Sequence, residues 1–433
     1  MPRSSRGQAW RFALVYVAMV GWIGIYLPYW PLWLADRGMS STQIGLLLAM
    51  SPWIRTFANP LAGYWADRSG RADRLIRGLS IALIGGILCL SVARGFGGLL
   101  LGMVGLGLVF APIIPLTDGL AVGAEAEGRL RYGPVRLWGS VAFIVASWFG
   151  GELVERHGEP IVLWILVGLA VTIAAASMLL PAGARPARDP GASDQAAPAA
   201  ATSPASPAPS PSPSPWSRPF VGMLLVASML NAGHAVLYAF GTQHWRTHGL
   251  DEGTVGLLWA EGVVAEIILF ALAARLDRWI TPRRLWLLAG LGGVIRWSML
   301  ASTVALPWIV LGQALHALTF GAAHLAVMAY IRSNVAPGAR GRAATGYSAV
   351  GTGLAMGVAL PLAGLLYDRV AGDAYWVMTG LAGVGLLLSV ALRIGSPRQH
   401  SPLSSARQPT SKASSTDSVT EPQAASPHTA KST

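Results

Sequence analysis

Gly63-Tyr64-Trp65-Ala66-Asp67-Arg68-Ser69-Gly70-Arg71 lies between two apolar runs, each long enough to cross a bilayer. A glycine that permits close packing, an acidic residue at a helix end and a short basic turn suit a tight connection between two packed membrane helices. The loop recurs about 210 residues later as Arg275-Leu276-Asp277-Arg278. The likeness extends upstream, from Ile44-Gly45-Leu46-Leu47 before the first copy to Val255-Gly256-Leu257-Leu258 before the second. Two related halves are therefore expected. Parallel repeats about an axis along the membrane normal are a construction of secondary transporters.

Composition agrees with that expectation. Of 433 residues 53% are hydrophobic and only 12% charged, and mean hydropathy is +0.50, which no soluble domain of this size needs. Runs of roughly 20 apolar residues, enough for a ~30 Å hydrocarbon core, recur along the chain. Twelve are expected, at 12–34, 42–66, 75–93, 97–118, 136–152, 160–181, 219–243, 253–274, 285–304, 306–330, 343–366 and 374–394. With the repeat, they predict an all-α membrane protein of two pseudo-symmetric six-helix bundles, the major facilitator fold. The first bundle is expected over 1–181 and the second over 219–395. Between them, 182–218 is rich in Ala, Pro and Ser and is expected to be a disordered cytoplasmic linker; the Ser/Thr/Pro-rich tail 396–433 is expected to behave alike.

A net charge of +12 in a soluble protein would point to nucleic acid, but here the arginines sort by loop. Arg3, Arg6 and Arg11, then Arg68, Arg71, Arg74 and Arg77, then Arg129, Arg131 and Arg136 fall on one side, and Arg275, Arg278, Arg283, Arg284, Arg332, Arg340 and Arg342 continue the series. The opposite loops hold single arginines such as Arg37, Arg94 and Arg246. By the positive-inside rule both termini are cytoplasmic, the bilayer is the partner and no nucleic acid is expected. No peptidase site follows the first apolar run, so it is expected to remain as the first helix. The lone Cys89 excludes an internal disulfide and a cysteine metal site. Neither a phosphate-binding Gly-x-x-x-x-Gly-Lys-Ser/Thr loop nor a nucleophilic triad is present, so neither ATP-driven transport nor catalysis is expected, and no metal or cofactor beyond a coupling proton.

Four stretches narrow the class. Tyr26-Leu27-Pro28-Tyr29-Trp30, Tyr132-Gly133-Pro134-Val135-Arg136-Leu137-Trp138-Gly139-Ser140, Leu258-Trp259-Ala260-Glu261-Gly262-Val263-Val264-Ala265-Glu266 and Leu315-His316-Ala317-Leu318-Thr319-Phe320-Gly321-Ala322-Ala323-His324 together resemble the phenylpropionate permease family. That family is similar to the lactose permease type of sugar:proton symporter. The resemblance implies a proton-coupled importer of the inner membrane, nominally for aromatic carboxylates. Sugar or nucleoside symport and proton-driven efflux remain as alternatives, and a monomer is expected.

Ionisable residues within membrane spans are costly and are functional candidates by default. Counted at 1.5 Å per residue, Glu266 lies about 13 Å and Glu261 about 21 Å from Arg275, and Arg296 lies about 18 Å from Arg284. His324 and His316 lie about 12 and 24 Å from Arg332, matching the two glutamates in depth. His316, Phe320 and His324 are spaced to share one helix face. A carboxylate, a guanidinium and imidazoles at one depth are the parts of a proton relay, and equally of a static ion pair between neighbouring helices. Glu266 with Arg296 is the expected coupling pair, and Glu261, His316 and His324 are further candidates. Where the lactose permease type carries its proton-binding carboxylate, three residues after the histidine, this chain has Thr319.

Substrate contacts are expected from both halves. Asp118 and Arg136, eighteen residues apart with Tyr132-Gly133 preceding the arginine, resemble the substrate-binding acid and arginine of lactose permease; the alternative is a loop clamp. Arg55 takes the place of Glu266 in the internal repeat, and a guanidinium can hold a carboxylate bidentately. Tyr26, Phe143 and His234 offer aromatic or polar surface to a ring-bearing ligand. Trp30 and Trp33 read as an interfacial aromatic belt. Gly63, Asp67, Arg68, Gly70 and Arg71, with Asp277 and Arg278, are the expected cytoplasmic gate.

Overall fold

The computed structural model describes residues 3–181, 216–275 and 281–394. Residues 182–215 of the expected linker 182–218, the second gate pair Asp277 and Arg278, and the tail lie outside these residues, and Arg218 already opens the next helix. The described chain is helical and contains no strand. Its first half runs α1 (Arg3–Asp36), α2 (Ser41–Ser69), α3 (Ala72–Val92), α4 (Gly95–Phe110), α5 (Ile113–Ala126), α6 (Tyr132–His157) and α7 (Ile161–Met178). The second runs α8 (Arg218–Ala232), α9 (Ala235–Thr247), α10 (Glu252–Arg275), α11 (Pro282–Ser302), α12 (Leu306–Ala314), α13 (Ala323–Asn334), α14 (Arg340–Gly346), α15 (Ala355–Val370) and α16 (Ala374–Ala391). Wider π turns, Ala317–Ala322 and Tyr347–Leu354, join α12 to α13 and α14 to α15.

Ten stretches of the described residues are long and apolar enough to cross a membrane. The last, 337–391, has 55 residues and is broken at Ala371, where φ is +46°. At about 1.5 Å per residue it has length for two crossings. The 29-residue α2 is also long enough, but Arg55, Asp67 and Arg68 lower its hydropathy. Twelve crossings are reached by counting these two segments in that way. Large apolar side chains such as Val92, Leu101, Trp164 and Leu387 are exposed on the protein itself, the surface that hydrocarbon must cover.

Local chemistry sets the ends of α2. Ser40 accepts from the backbone of Gln43 while the Gln43 side chain accepts from Ser40 N–H, a reciprocal capping box. At the other end Gly70 has φ +61°, and its N–H bonds Ala66 O at 2.9 Å. That left-handed cap is why the basic turn carries a glycine. Gly63 departs from expectation: a Cβ there would meet open space, so it makes no close contact in this conformation. Asp67 and Arg68 are exposed.

The halves meet where α2 packs on α15, α6 on α10 and α1 on α9. A Cβ on Gly45 would collide with the Leu360 carbonyl, and one on Gly256 with the Ser147 carbonyl, so both helix pairs close backbone to backbone. Polar contacts seal the same end. Asp368 accepts from Ser41 N–H at 3.0 Å and Thr42 N–H at 2.9 Å, a carboxylate seated on the N-terminus of α2. Arg246 bridges Glu159 at 2.9 Å and Glu252 at 2.5 Å. A hydrogen bond from its own backbone, partly opposed by burial and reinforced by Arg246, holds the Glu159 carboxyl below the usual carboxylate range, so the bridge persists at neutral pH. The molecule is thus closed at the end opposite the basic loops. Gly45→Leu is expected to hold that end apart. In a Cys89→Ala background, a cysteine at Leu48 should then gain reactivity toward an impermeant maleimide; unchanged labelling would contradict this.

Trp30 and Trp33 do not form a lipid-facing belt. They are 0% and 1% exposed, stacked at 4.4 Å between centroids, with Tyr26 stacked on Trp30 at 5.7 Å. The indoles fill the contact of α1 with its neighbours, where burial of so much apolar area outweighs interfacial hydration.

Candidate functional site

Arg296 on α11 is fully buried and organises the second half. It donates to Thr319 Oγ1 at 2.7 Å, to Gln313 Oε1 at 2.8 Å and toward His316 Nδ1 at 3.1 Å, and lies 4.6 Å from the Trp297 ring. Donor and acceptor capacities fix the direction of the remaining bonds. Because arginine only donates, His316 Nδ1 accepts and its proton sits on Nε2, which faces Glu266 Oε2 at 4.0 Å. His234 Nδ1 lies 3.1 Å from Leu230 O and must donate, leaving Nε2 to accept from the Thr319 hydroxyl at 3.1 Å. Gln313 donates to Leu258 O at 2.9 Å. A continuous hydrogen-bonded chain therefore runs from the Leu230 carbonyl through His234, Thr319 and Arg296 to His316, and Glu266 stands 4.0 Å beyond its end.

Glu266 and Arg296 are not in contact as expected; His316 stands between them. Thr319, which sequence comparison marks only as a missing carboxylate, is the hinge of the chain because its single hydroxyl both accepts and donates. Thr319→Val removes that dual role and leaves a guanidinium N–H and an imidazole nitrogen unpaired. The expected loss is about 1–3 kcal/mol, read as a lowered melting temperature of the purified protein.

Two other candidates stand apart. Glu261 is partly buried and makes no hydrogen bond or ion pair with a described residue. His324 sits 6.4 Å from the Tyr347 ring rather than on the face of His316. His316 and Phe320 stack at 5.4 Å, but the π turn over 317–322 widens the helix and rotates the residues beyond it out of register.

In the first half, Asp118 on α5 accepts from Tyr16 at 2.5 Å and Tyr132 at 3.1 Å. Arg136 does not bond Asp118 directly: it lies over the Tyr16 ring at 5.3 Å, so a tyrosine joins the acid to the base. Tyr16 carries no sequence signal beyond its place in an apolar helix.

Arg55 makes no hydrogen bond or ion pair with a described residue and borders three cavities: one of about 270 Å³ between the halves, with Asn59, Thr345 and Ser348 in its wall, and two larger ones. One, about 390 Å³, is walled by α1, α2, α4 and α5 and includes Trp22, Tyr26, Asn59, Phe110 and Asp118. The other, about 320 Å³, lies between the halves and includes Tyr26, Asn231, Tyr238, Phe320 and Thr352. Such volumes sit near the lower end of the roughly 300–1,000 Å³ of small-molecule sites. Phe143 and His234, expected at the ligand, line neither cavity. Phe143 is 7% exposed with its backbone against Gly24, and His234 is 1% exposed within the hydrogen-bond chain.

The comparisons with known proteins agree with this architecture. A profile described as the MFS_1 like family matches residues 9–378. The probable 3-phenylpropionic acid transporter of Escherichia coli is 36% identical over 376 residues, 86% of this chain and 94% of that protein. The maltose permease of Geobacillus stearothermophilus is 26% identical over 389 residues, 88% and 94% of the two chains. Among solved structures, the nucleoside transporter NupG superposes with a TM-score of 0.71 at 14% identity, covering 89% of this chain and 98% of that one. The xylose transporter XylE of Escherichia coli in its inward open conformation gives 0.65 at 13% identity, covering 90% and 96%. Those two likenesses carry the fold alone. With a profile match across most of its length and a relative at 36% identity, the chain belongs to the MFS_1-like family and is a membrane transporter of the major facilitator type.

Proposed function

We propose that this transporter is a proton-coupled symporter that imports a small aromatic carboxylate, of which 3-phenylpropionate is the type. The observation that carries the reading is the pairing of Arg55, a guanidinium with no hydrogen-bond or ion-pair partner among the described residues, in an aromatic-walled cavity, with a hydrogen-bond chain whose end, His316, faces one carboxylate, Glu266, at 4.0 Å. The cation takes the substrate anion, and the carboxylate takes the proton. The name of the Escherichia coli relative supports the substrate class. The working unit is a single chain in the cytoplasmic membrane with both termini in the cytoplasm. Two six-helix bundles, 1–181 and 219–395, rock about the site, and the linker and tail take no part in transport. The loop Asp67–Arg71 locks the basic end when the opposite end opens.

Sugar or nucleoside symport is the second reading, favoured by Ser51, Asn231 and Thr352 on the cavity between the halves and by the maltose permease relative. Uptake by reconstituted vesicles under an imposed inward proton gradient, compared across aromatic acids, sugars and nucleosides, separates the two. Accumulation of phenylpropionate alone supports the first; accumulation of a neutral sugar or nucleoside with indifference to aromatic acids overturns it.

A further inference from the structure

We propose that the end opposite the basic loops is held shut by two copies of one latch, each a carboxylate of one half seated on the first helical turn of the other, and that together they set how often that end opens. The latches presuppose rocking of the two halves and are independent of the substrate. In the first copy Asp368 of α15 accepts from the backbone N–H groups of Ser41 and Thr42, which open α2, and from the Thr42 hydroxyl. In the second, Glu155 of α6 accepts from Gly253 N–H in the first turn of α10, at 3.3 Å. Four residues before each acid a glycine admits the partner helix: a Cβ on Gly364 would collide with the Ser41 carbonyl, and one on Gly151 with the Glu252 carbonyl. One turn further on, the Leu360 carbonyl lies against Gly45 and the Ser147 carbonyl against Gly256. Ser147, Gly151 and Glu155 thus meet α10 in the register in which Leu360, Gly364 and Asp368 meet α2. Both crossings join one half to the other.

The first N–H groups of a helix have no partner within it. Local caps satisfy some of them here, since Ser40 takes the Gln43 N–H of α2 and Asp251 the Thr254 N–H of α10. The opposite half supplies acceptors for Ser41, Thr42 and Gly253, and its negative charge is favoured at a helix N-terminus. Parting the halves strips both N-termini of that charge at once. Arg246, which bridges Glu159 and Glu252, adds an ion pair beside the second copy only. At the basic end Gly63 and Asp67 have the same spacing, yet Asp67 is exposed and a Cβ on Gly63 would meet open space. The spacing is docked at the closed end and undocked at the other.

Double electron–electron resonance on purified full-length protein, in a Cys89→Ala background, tests the latches. Spin labels on Arg94→Cys and Ala305→Cys, exposed in the α3–α4 and α11–α12 turns, span the latched end, and labels on Arg74→Cys and Arg342→Cys span the basic end. Asp368→Asn and Glu155→Gln remove the charge and keep the shape. Each is expected to raise the ratio of open to closed populations at the latched end at least about twofold, and the two together at least about fivefold, because both bias one two-state equilibrium. The basic-end pair should close in step. Asp373→Asn, which neutralises an exposed acid outside the latches, leaves both distributions as in the parent. Opening of the latched end without closure of the basic end is local fraying and overturns the proposal, as do unchanged distributions in both neutral variants or an equal effect of Asp373→Asn. Gly45→Leu separates the latches from rocking itself. If that wedge moves both label pairs while the neutral variants move neither, the latches fall and rocking stands; if it opens one end without closing the other, both fall.

Discussion

Glu266→Gln is expected to abolish uphill accumulation of substrate while sparing exchange of labelled for unlabelled substrate across the membrane. The glutamine keeps the shape of the side chain and still presents an oxygen to His316 Nε2–H, 4.0 Å from the carboxylate in the native protein. It cannot take up or release a proton. A carrier so altered returns only when loaded, which is exchange without net flux. The rest of the chain is neutral or permanently charged in the arrangement described, since His316 Nδ1 accepts from Arg296 and His234 Nε2 accepts from Thr319. Under the proposed coupling, Glu266 is the member that takes and releases the proton. Counterflow in reconstituted vesicles measures the exchange, and normal accumulation by Glu266→Gln would move the role to Glu261 or His316.

Arg55→Leu is expected to raise the dissociation constant for 3-phenylpropionate by about 10- to 150-fold. That corresponds to about 1.5–3 kcal/mol, the worth of a hydrogen bond to a charged group. Arg55→Lys should fall between, since it restores the charge without the planar fork. The expectation follows from the guanidinium having no hydrogen-bond or ion-pair partner among the described residues while it borders three cavities. Calorimetric titration of the purified variants gives the constants directly, and affinity unchanged in Arg55→Leu would remove this residue from the site.

What could be read from sequence was set by local and repeating features. The Gly63–Arg71 turn and the arginine asymmetry specified a twofold helical membrane protein, and Gly70 proved to be the left-handed cap such a turn needs. The depth count matched Glu266 with His324 and Glu261 with His316, whereas the structure brings His316 Nε2 to 4.0 Å from Glu266. Distance along a helix says nothing of rotation about it, however, so the order in which His316 intervenes between glutamate and arginine was not legible. The π turn over 317–322 is a departure from helical register, and it moved His324 to Tyr347. Phe143 and the Trp30–Trp33 pair were misassigned because aromatic residues serve packing and ligand contact with the same chemistry, and only tertiary burial separates the two. The first-half cavity arises from side chains on four helices, a juxtaposition no local pattern encodes.

The central claim, that substrate and proton move together, is tested most directly by recording external pH in a weakly buffered suspension of reconstituted vesicles when 3-phenylpropionate is added. The recording is made well above the ordinary carboxyl range, so that the substrate is ionised, and protein-free vesicles supply the correction for diffusion of the neutral acid. Alkalinisation that accompanies uptake, collapses with a protonophore present and is absent in Glu266→Gln is the predicted result. Uptake of labelled substrate without any change in external pH, or with acidification, would contradict it.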